Sequence, residues 1–174
     1  ATKVSPDHFR RADLIKAADD SLKRLRTDHI DLYQIHKPSD DIPVEETLGA
    51  MEELVDAGKV RFIGVSNFSL AQLQHAQQAM RKHPIVSNQV RFNLIDRTIA
   101  AVLLPYCQAN GVTVIAYSPL ARGFLAGNRR REDYGETIRA KTDAIAQQLY
   151  YQDSDFTVVE RLTEIASRRG VPNA

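Results

Sequence analysis

Four apolar, β-branched runs in this 174-residue chain each end on a side chain that can hydrogen-bond. Residues 30–35 lead into His36, residues 60–65 into Ser66 and Asn67, residues 85–87 into Asn88 and Gln89, and residues 112–116 into Tyr117 and Ser118. Asn67 and Gln89 each carry a donor beside an acceptor, so together they can fix a planar carboxamide, and Tyr117 offers a flat ring to stack on it. His36 is of the type that holds a reacting oxygen or moves a proton near neutral pH. Chemistry of that kind requires the strand ends to meet.

The elements between them alternate. Ser5-Pro6 reads as an N-cap with proline in the first turn of a helix running to Thr27, its buried stripe formed by Ile15, Ala18, Leu22 and Leu25. HIDLYQI (29–35) is rich in β-formers and stops at His36-Lys37-Pro38, because proline cannot extend a ladder. A helix from Val44 places Leu48, Met51 and Leu54 on one side and ends at Gly58. VRFIGV follows as the second full strand. Ser69 is the N-cap of a helix over residues 70–82, and PIVSNQV is the next strand. A helix over 98–110, the strand VTVIAYS, and a last helix over 156–169 complete the series. That last helix turns Val159, Leu162, Ile165 and Ala166 inward and ends at Gly170. The 118–153 connection is long and polar, which marks it as functional or mobile; it includes RRRED at 129–133, read as a solvated, self-compensating face.

Strands recurring near residues 30, 60, 85 and 112 with helices between them predict a parallel βα repeat. Two closures satisfy that pattern. An open doubly wound sheet would spread the strand ends over ~15 Å, at ~4.8 Å per strand, and gather ligands only at a switch point. A barrel brings the same ends to one mouth, where groups from several strands can act together. No Gly-x-Gly-x-x-Gly is present, which counts against a Rossmann dinucleotide site. The expected fold is therefore α/β, a (β/α)8 barrel, incomplete, with four full parallel strands, a strand stub at Thr2 to Val4 and helices outside, as a single domain over residues 1–174.

Composition narrows the function classes. At 43% hydrophobic the chain can bury one sizeable core, and a formal charge of +1 gives no reason to expect nucleic acid or an anionic membrane as partner. Cys107 is the single cysteine, which excludes an internal disulfide or a cysteine zinc cage and suggests a reducing compartment. No apolar run approaches the ~18 residues of a membrane span. The expectation is a cytoplasmic protein with a small-molecule partner; its oligomeric state stays open. His8, His29, His75 and His83 lack metal-ligand spacing, and no metal site is assigned. ATKV reads as the tail of a strand and RRGVPNA as a helix handing over, so the sequence is expected to be a fragment.

A mouth lined by two amides, a serine, a histidine and a tyrosine suits nicotinamide, whose carboxamide fixes which ring face is presented. IDLYQIHKP, GKVRFIGVSNFS, VSNQVRFN and VIAYSPLARGFLAG resemble the aldo/keto reductase superfamily, and the match spans nearly the whole chain. The segment from KTDAIAQQLYYQ onward further resembles the bacterial aryl-alcohol-dehydrogenase-like members. The resemblance implies a barrel that reduces aldehydes or ketones with NADPH, less often NADH, using an aspartate, a tyrosine, a lysine and a histidine. It makes His36 that histidine and Lys3 that lysine. The aspartate and tyrosine are expected upstream of residue 1, and the last strand with the loop gripping the adenosine phosphate beyond residue 174, so that the chain covers the end of strand three through helix seven. Ser66, Asn67, Gln89 and Tyr117 are expected to hold the nicotinamide, and Ser118, Pro119, Leu120, Ala121, Arg122 and Gly123 to approach the pyrophosphate through backbone N–H groups.

Each assignment has a plainer rival. His36 could be a loop residue, Lys3 a solvated cation, Ser66 and Asn67 caps of the following helix, Gln89 a satisfied core amide, and 118–123 an ordinary βα loop. Two other functions also fit a barrel. A non-catalytic NADPH-binding subunit, like the potassium-channel β subunits of this fold, is opposed by His36, which those subunits lack. A metal-dependent hydrolase would need more histidines or carboxylates at strand ends, where this chain has amides and a tyrosine.

Overall fold

The computed structural model describes residues 1–127 and 148–174. Strands β1 (Thr2–Val4), β2 (Ile30–Ile35), β3 (Val60–Ser66), β4 (Ile85–Arg91) and β5 (Thr113–Tyr117) lie side by side in chain order. β1 to β4 pair in parallel. Helices α1 (Arg11–Leu25), α2 (Val44–Asp56), α3 (Leu70–Ala79) and α4 (Leu103–Ala109) fill the crossovers, and α5 (Asp153–Arg169) follows. The chain divides into two compact units, one of Ala1–Val90 with Ile99–Ile115, the other of Arg91–Thr98 with Ala116–Ala174.

In the first unit the period-2 alternation of each strand sorts side chains onto two faces. Tyr33, Ile35, Ile63 and Val65 are buried in a core with Leu14 and Ala18 of α1, Leu48, Met51 and Leu54 of α2, and Leu73 and Ala76 of α3. On the opposite face Gln34, Gly64 and Ser87 align across three strands. Gly64 is there for space. A Cβ at that position would fall on Ser87 Oγ and within 3.0 Å of Gln34 Cγ and 3.1 Å of Leu32 Cδ1. Gly64→Ala is therefore expected to cost about 1–3 kcal/mol of stability despite alanine's better backbone propensity, checked by urea unfolding.

Tyr33 is fully buried and its hydroxyl has no hydrogen-bond partner among the described residues. Burial pushes its pKa up to about 12, against a small opposing pull from Arg24. Removing an unsatisfied polar atom from a packed ring should help, so Tyr33→Phe is expected to raise stability by about 1 kcal/mol. A lower urea midpoint for the variant would show that the hydroxyl is satisfied in solution.

Several helix boundaries differ from the sequence reading for local reasons. Proline after Ser5 yields a short 3-10 turn (Pro6–His8) in which the Ser5 side chain makes no cap bond, and α1 starts at Arg11. Leu25, read as core, is 54% exposed, because the helix ends there with Arg26 in the left-handed region. The Ser69 cap forms as expected. Its Oγ accepts from Gln72 N–H at 3.3 Å and Gln72 Oε1 accepts from Ser69 N–H at 2.9 Å. α3 stops at Ala79 rather than 82, where the N–H groups of Arg81, Lys82 and His83 turn to Glu52 Oε1 at 3.0, 2.6 and 3.0 Å. α4 starts at Leu103 instead of 98. Pro105 has no N–H and is tolerated only in a first turn, which fixes the start just before it. α5 begins at Asp153, ahead of the expected 156, and Ile165 is 39% exposed while Phe156, Val159 and Ala166 are buried.

The second unit packs around Phe124, whose ring meets Tyr151 and Phe156 edge-on at centroid distances of 5.1 and 5.2 Å. Ala121, Leu125, Tyr150 and Val159 complete the cluster. The RRRED run lies outside the described residues.

Candidate active site

In the first unit the strand ends are tied to one another by hydrogen bonds. Lys3 stands opposite Gln34 and Val4 opposite Ile35, and His36 donates its N–H to the Val4 carbonyl at 3.0 Å. Asn67 donates its Nδ2 hydrogens to the His36 carbonyl (3.0 Å) and to Ser66 Oγ (3.1 Å). Ser66 Oγ donates to the Gln89 carbonyl at 2.8 Å, and that same oxygen accepts the Asn67 N–H at 2.9 Å. Four neighbouring strands thus bring Lys3, His36, Ser66, Asn67 and Gln89 together at their C-terminal ends. Asn67 holds this position in the left-handed region, φ 61°, which asparagine tolerates better than most residues.

These bonds define what the cluster can offer a ligand. Both Nδ2 hydrogens of Asn67 are engaged within the protein. Ser66 is buried and serves as a relay between β3 and β4. The Gln89 side-chain amide is half-buried and has no hydrogen bond among the described residues, which suits a group that a ligand completes. Asn88, its neighbour in sequence, points the other way, donating Nδ2 to the Phe68 carbonyl at 2.9 Å while its buried Oδ1 lacks a partner among the described residues. His36 is exposed and Lys3 half-buried.

Residues 117–123 belong to the second unit, apart from the five just described. Ser118, Ala121, Arg122 and Gly123 all have positive φ, a run that folds the backbone into a tight 3-10 turn. Within it Ala121 N–H donates to the Ser118 carbonyl and Gly123 N–H to the Leu120 carbonyl, both at 2.9 Å, so an anion at these amides competes with internal bonds. Pro119, Leu120, Arg122 and Gly123 are exposed, Ala121 is buried, and Tyr117 and Ser118 are half-buried.

One residue that shapes this turn was absent from the sequence reading. Asn93 is buried and donates Nδ2 to the Ser118 carbonyl (3.1 Å) and to the Tyr150 hydroxyl (3.2 Å). Its Oδ1 accepts the N–H groups of Ile95 (2.9 Å) and Asp96 (2.8 Å). The signal was available: asparagine ahead of a polar turn often bonds its own backbone two residues on. Beside it Asp96 pairs with Arg91 at 2.5 Å; burial works against the Asp96 carboxylate, but Arg91 and Thr98 together hold its pKa below the usual range.

The remaining histidines that pair do so with carboxylates: His29 with Asp28 at 2.7 Å, His75 with Glu45 at 3.0 Å, and His83 with Asp56 at 2.8 Å. Among the described residues no three histidines, cysteines or carboxylates are placed to share a metal ion, and no helix is long and apolar enough to cross a membrane.

The Aldo/keto reductase family model matches residues 1–174, from end to end. The chain belongs to the aldo/keto reductase family. It is 44% identical over 125 residues to the aldo-keto reductase YhdN of Bacillus subtilis, covering 72% of this chain and 37% of that protein. It is 36% identical over 170 residues to the versiconal hemiacetal acetate reductase of Aspergillus parasiticus, covering 94% and 48%. The glycerol dehydrogenase AKR11B4 of Gluconobacter oxydans superposes with a TM-score of 0.80 at 33% identity, over 94% of this chain and 49% of that one. An aldo/keto reductase of Klebsiella pneumoniae, solved with NADP and acetate, superposes at 0.64 with 36% identity, over 84% and 52%. The chain thus spans about half the length or less of these relatives. Its parallel βα repeat is part of the (β/α)8 barrel of this aldo/keto reductase family.

Proposed function

We propose that the whole protein is an NAD(P)H-dependent oxidoreductase that reduces small aldehydes or ketones to alcohols in the cytoplasm. The observation that carries this reading is the strand-end cluster of Lys3, His36, Ser66, Asn67 and Gln89, with an exposed imidazole and a glutamine amide that makes no hydrogen bond among the described residues. When bound, the nicotinamide supplies the hydride. Gln89 and Asn67 orient its carboxamide, and Ser66 holds Asn67 in place. The Klebsiella pneumoniae aldo/keto reductase solved with NADP, 36% identical, supports reading NADPH as the cofactor, with NADH second.

His36 fixes the substrate's carbonyl oxygen by a hydrogen bond, so that the carbonyl carbon is held in a near-attack position. The resulting alkoxide takes a proton from an acid beside Lys3, whose charge favours that acid's ionised form and so lowers its pKa. Tyr117 to Gly123 approach the cofactor's ring and pyrophosphate, with 118–153 as the active-site loop of a single barrel domain. Following absorbance at 340 nm with an aromatic aldehyde, the expected result is consumption of one NADPH per alcohol formed. No consumption with any small aldehyde or ketone would remove the proposal.

The amide roles are tested separately. Asn67→Ala and Gln89→Ala are each expected to weaken cofactor binding by a net ~0.5–1.5 kcal/mol, read by fluorescence titration. Wild-type affinity in both variants would make these side chains structural.

A further inference from the structure

A cavity of about 330 Å³ lies against Ile35, the last residue of β2. Its floor is apolar and aromatic: Phe9, Ile35 and Phe68 are all buried. Its rim is acidic. Asp40 and Glu45 stand there, Glu45 paired with His75 at 3.0 Å; among the described residues no lysine or arginine lines the cavity and Asp40 takes part in no ion pair.

Size and charge together select a ligand. An apolar void of ~150 Å³ suffices to hold benzene, so about twice that volume takes one aromatic ring with a short arm. The ring would lie against Phe9 and Phe68, and the arm would reach a rim where the Asp40 carboxylate, backed by Glu45 of the Glu45–His75 pair, favours a cation. An anion there would face both carboxylates with only His75 to answer it. We propose that this cavity is a binding site for a small aromatic amine, separate from the carbonyl site at the strand ends. It does not depend on the reductase reading, because the residues involved are not those assigned to the cofactor or the carbonyl.

The test is a two-dimensional NMR titration of the full-length protein with 2-phenylethylamine, using 2-phenylethanol and phenylacetate as matched neutral and anionic probes. Resonances of Phe9, Ile35 and Phe68 should shift saturably with the amine at a Kd on the order of 1 mM or tighter. The alcohol should bind more weakly and phenylacetate more weakly still. In the double variant Asp40→Asn, Glu45→Gln, both at exposed positions, amine affinity should fall about fivefold while that of the alcohol stays the same. Raising the salt should weaken the amine alone. Equal affinity for amine and alcohol, an unchanged amine Kd in the double variant, or shifts confined to Lys3, His36 and Gln89 would each overturn the proposal.

Discussion

His36→Ala is expected to lower kcat for carbonyl reduction by about a hundredfold or more while cofactor affinity stays within about twofold. The separation follows from how the histidine is held. Its main chain, not its ring, makes the bonds to Val4 and Asn67, so alanine keeps both and the strand ends remain in register. Only the imidazole is lost, and with it the hydrogen bond that positions the carbonyl oxygen. An effect confined to the positioned substrate appears in kcat and kcat/KM rather than in binding of the first ligand. Stopped-flow turnover and cofactor titration on the same preparations would decide it. An unchanged kcat removes His36 from the chemistry, and an equal loss of cofactor affinity would assign it to the cofactor.

Glu52→Ala is expected to cost about 3 kcal/mol of stability at neutral pH. A single oxygen of this buried carboxylate gathers three successive backbone N–H groups from the turn that leads into β4. Bonds to a charged acceptor are worth about 1.5–3 kcal/mol each, and the exposed amides of Arg81 and Lys82 recover part of the loss through water. Burial raises the Glu52 pKa, but the three amides and His83 outweigh it, and the net shift is downward from 4.5. A carboxylate depressed in the folded state contributes stability above its unfolded pKa and loses it as pH falls through the folded one. Glu52→Gln, which keeps the shape without the charge, should therefore be less stable than wild type at pH 7, with the gap closing below 4.5. Urea midpoints measured across that range check both the sign and the window. A gap that persists in acid would mean that shape, not charge, holds the turn.

The order of elements was legible in the sequence because each strand is a run of β-formers closed by a stop, as in HIDLYQI before Pro38. The cluster of His36, Ser66, Asn67 and Gln89 could be anticipated for the same reason: a polar side chain at the end of a buried strand has few structural uses. Contacts between distant segments were not legible. The end of α3 depends on Glu52, some 30 residues earlier, and no periodicity within 70–82 reveals it. The stripe of α1 slipped because Leu14 and Ser21 are buried where Ile15 and Leu22 were expected, a difference of one residue that only packing decides. Asn93 was missed because its four bonds reach forward to Ser118 and Tyr150 as well as along its own turn.

The strict neighbour order of β1 to β5 has a consequence for synthesis. Each new strand docks on the one made just before it, so no strand must wait for a distant partner still inside the ribosome. At about 5–20 residues per second, one βα unit emerges every few seconds, far longer than its helix needs to form. Of the growing sheet's two open edges only one, the last strand made, changes at each step, and the crossover helix following that strand is available to cover its face. Vectorial growth of this kind keeps the nascent chain in local contacts at every length, and moves one of its two association-prone edges forward one strand at a time.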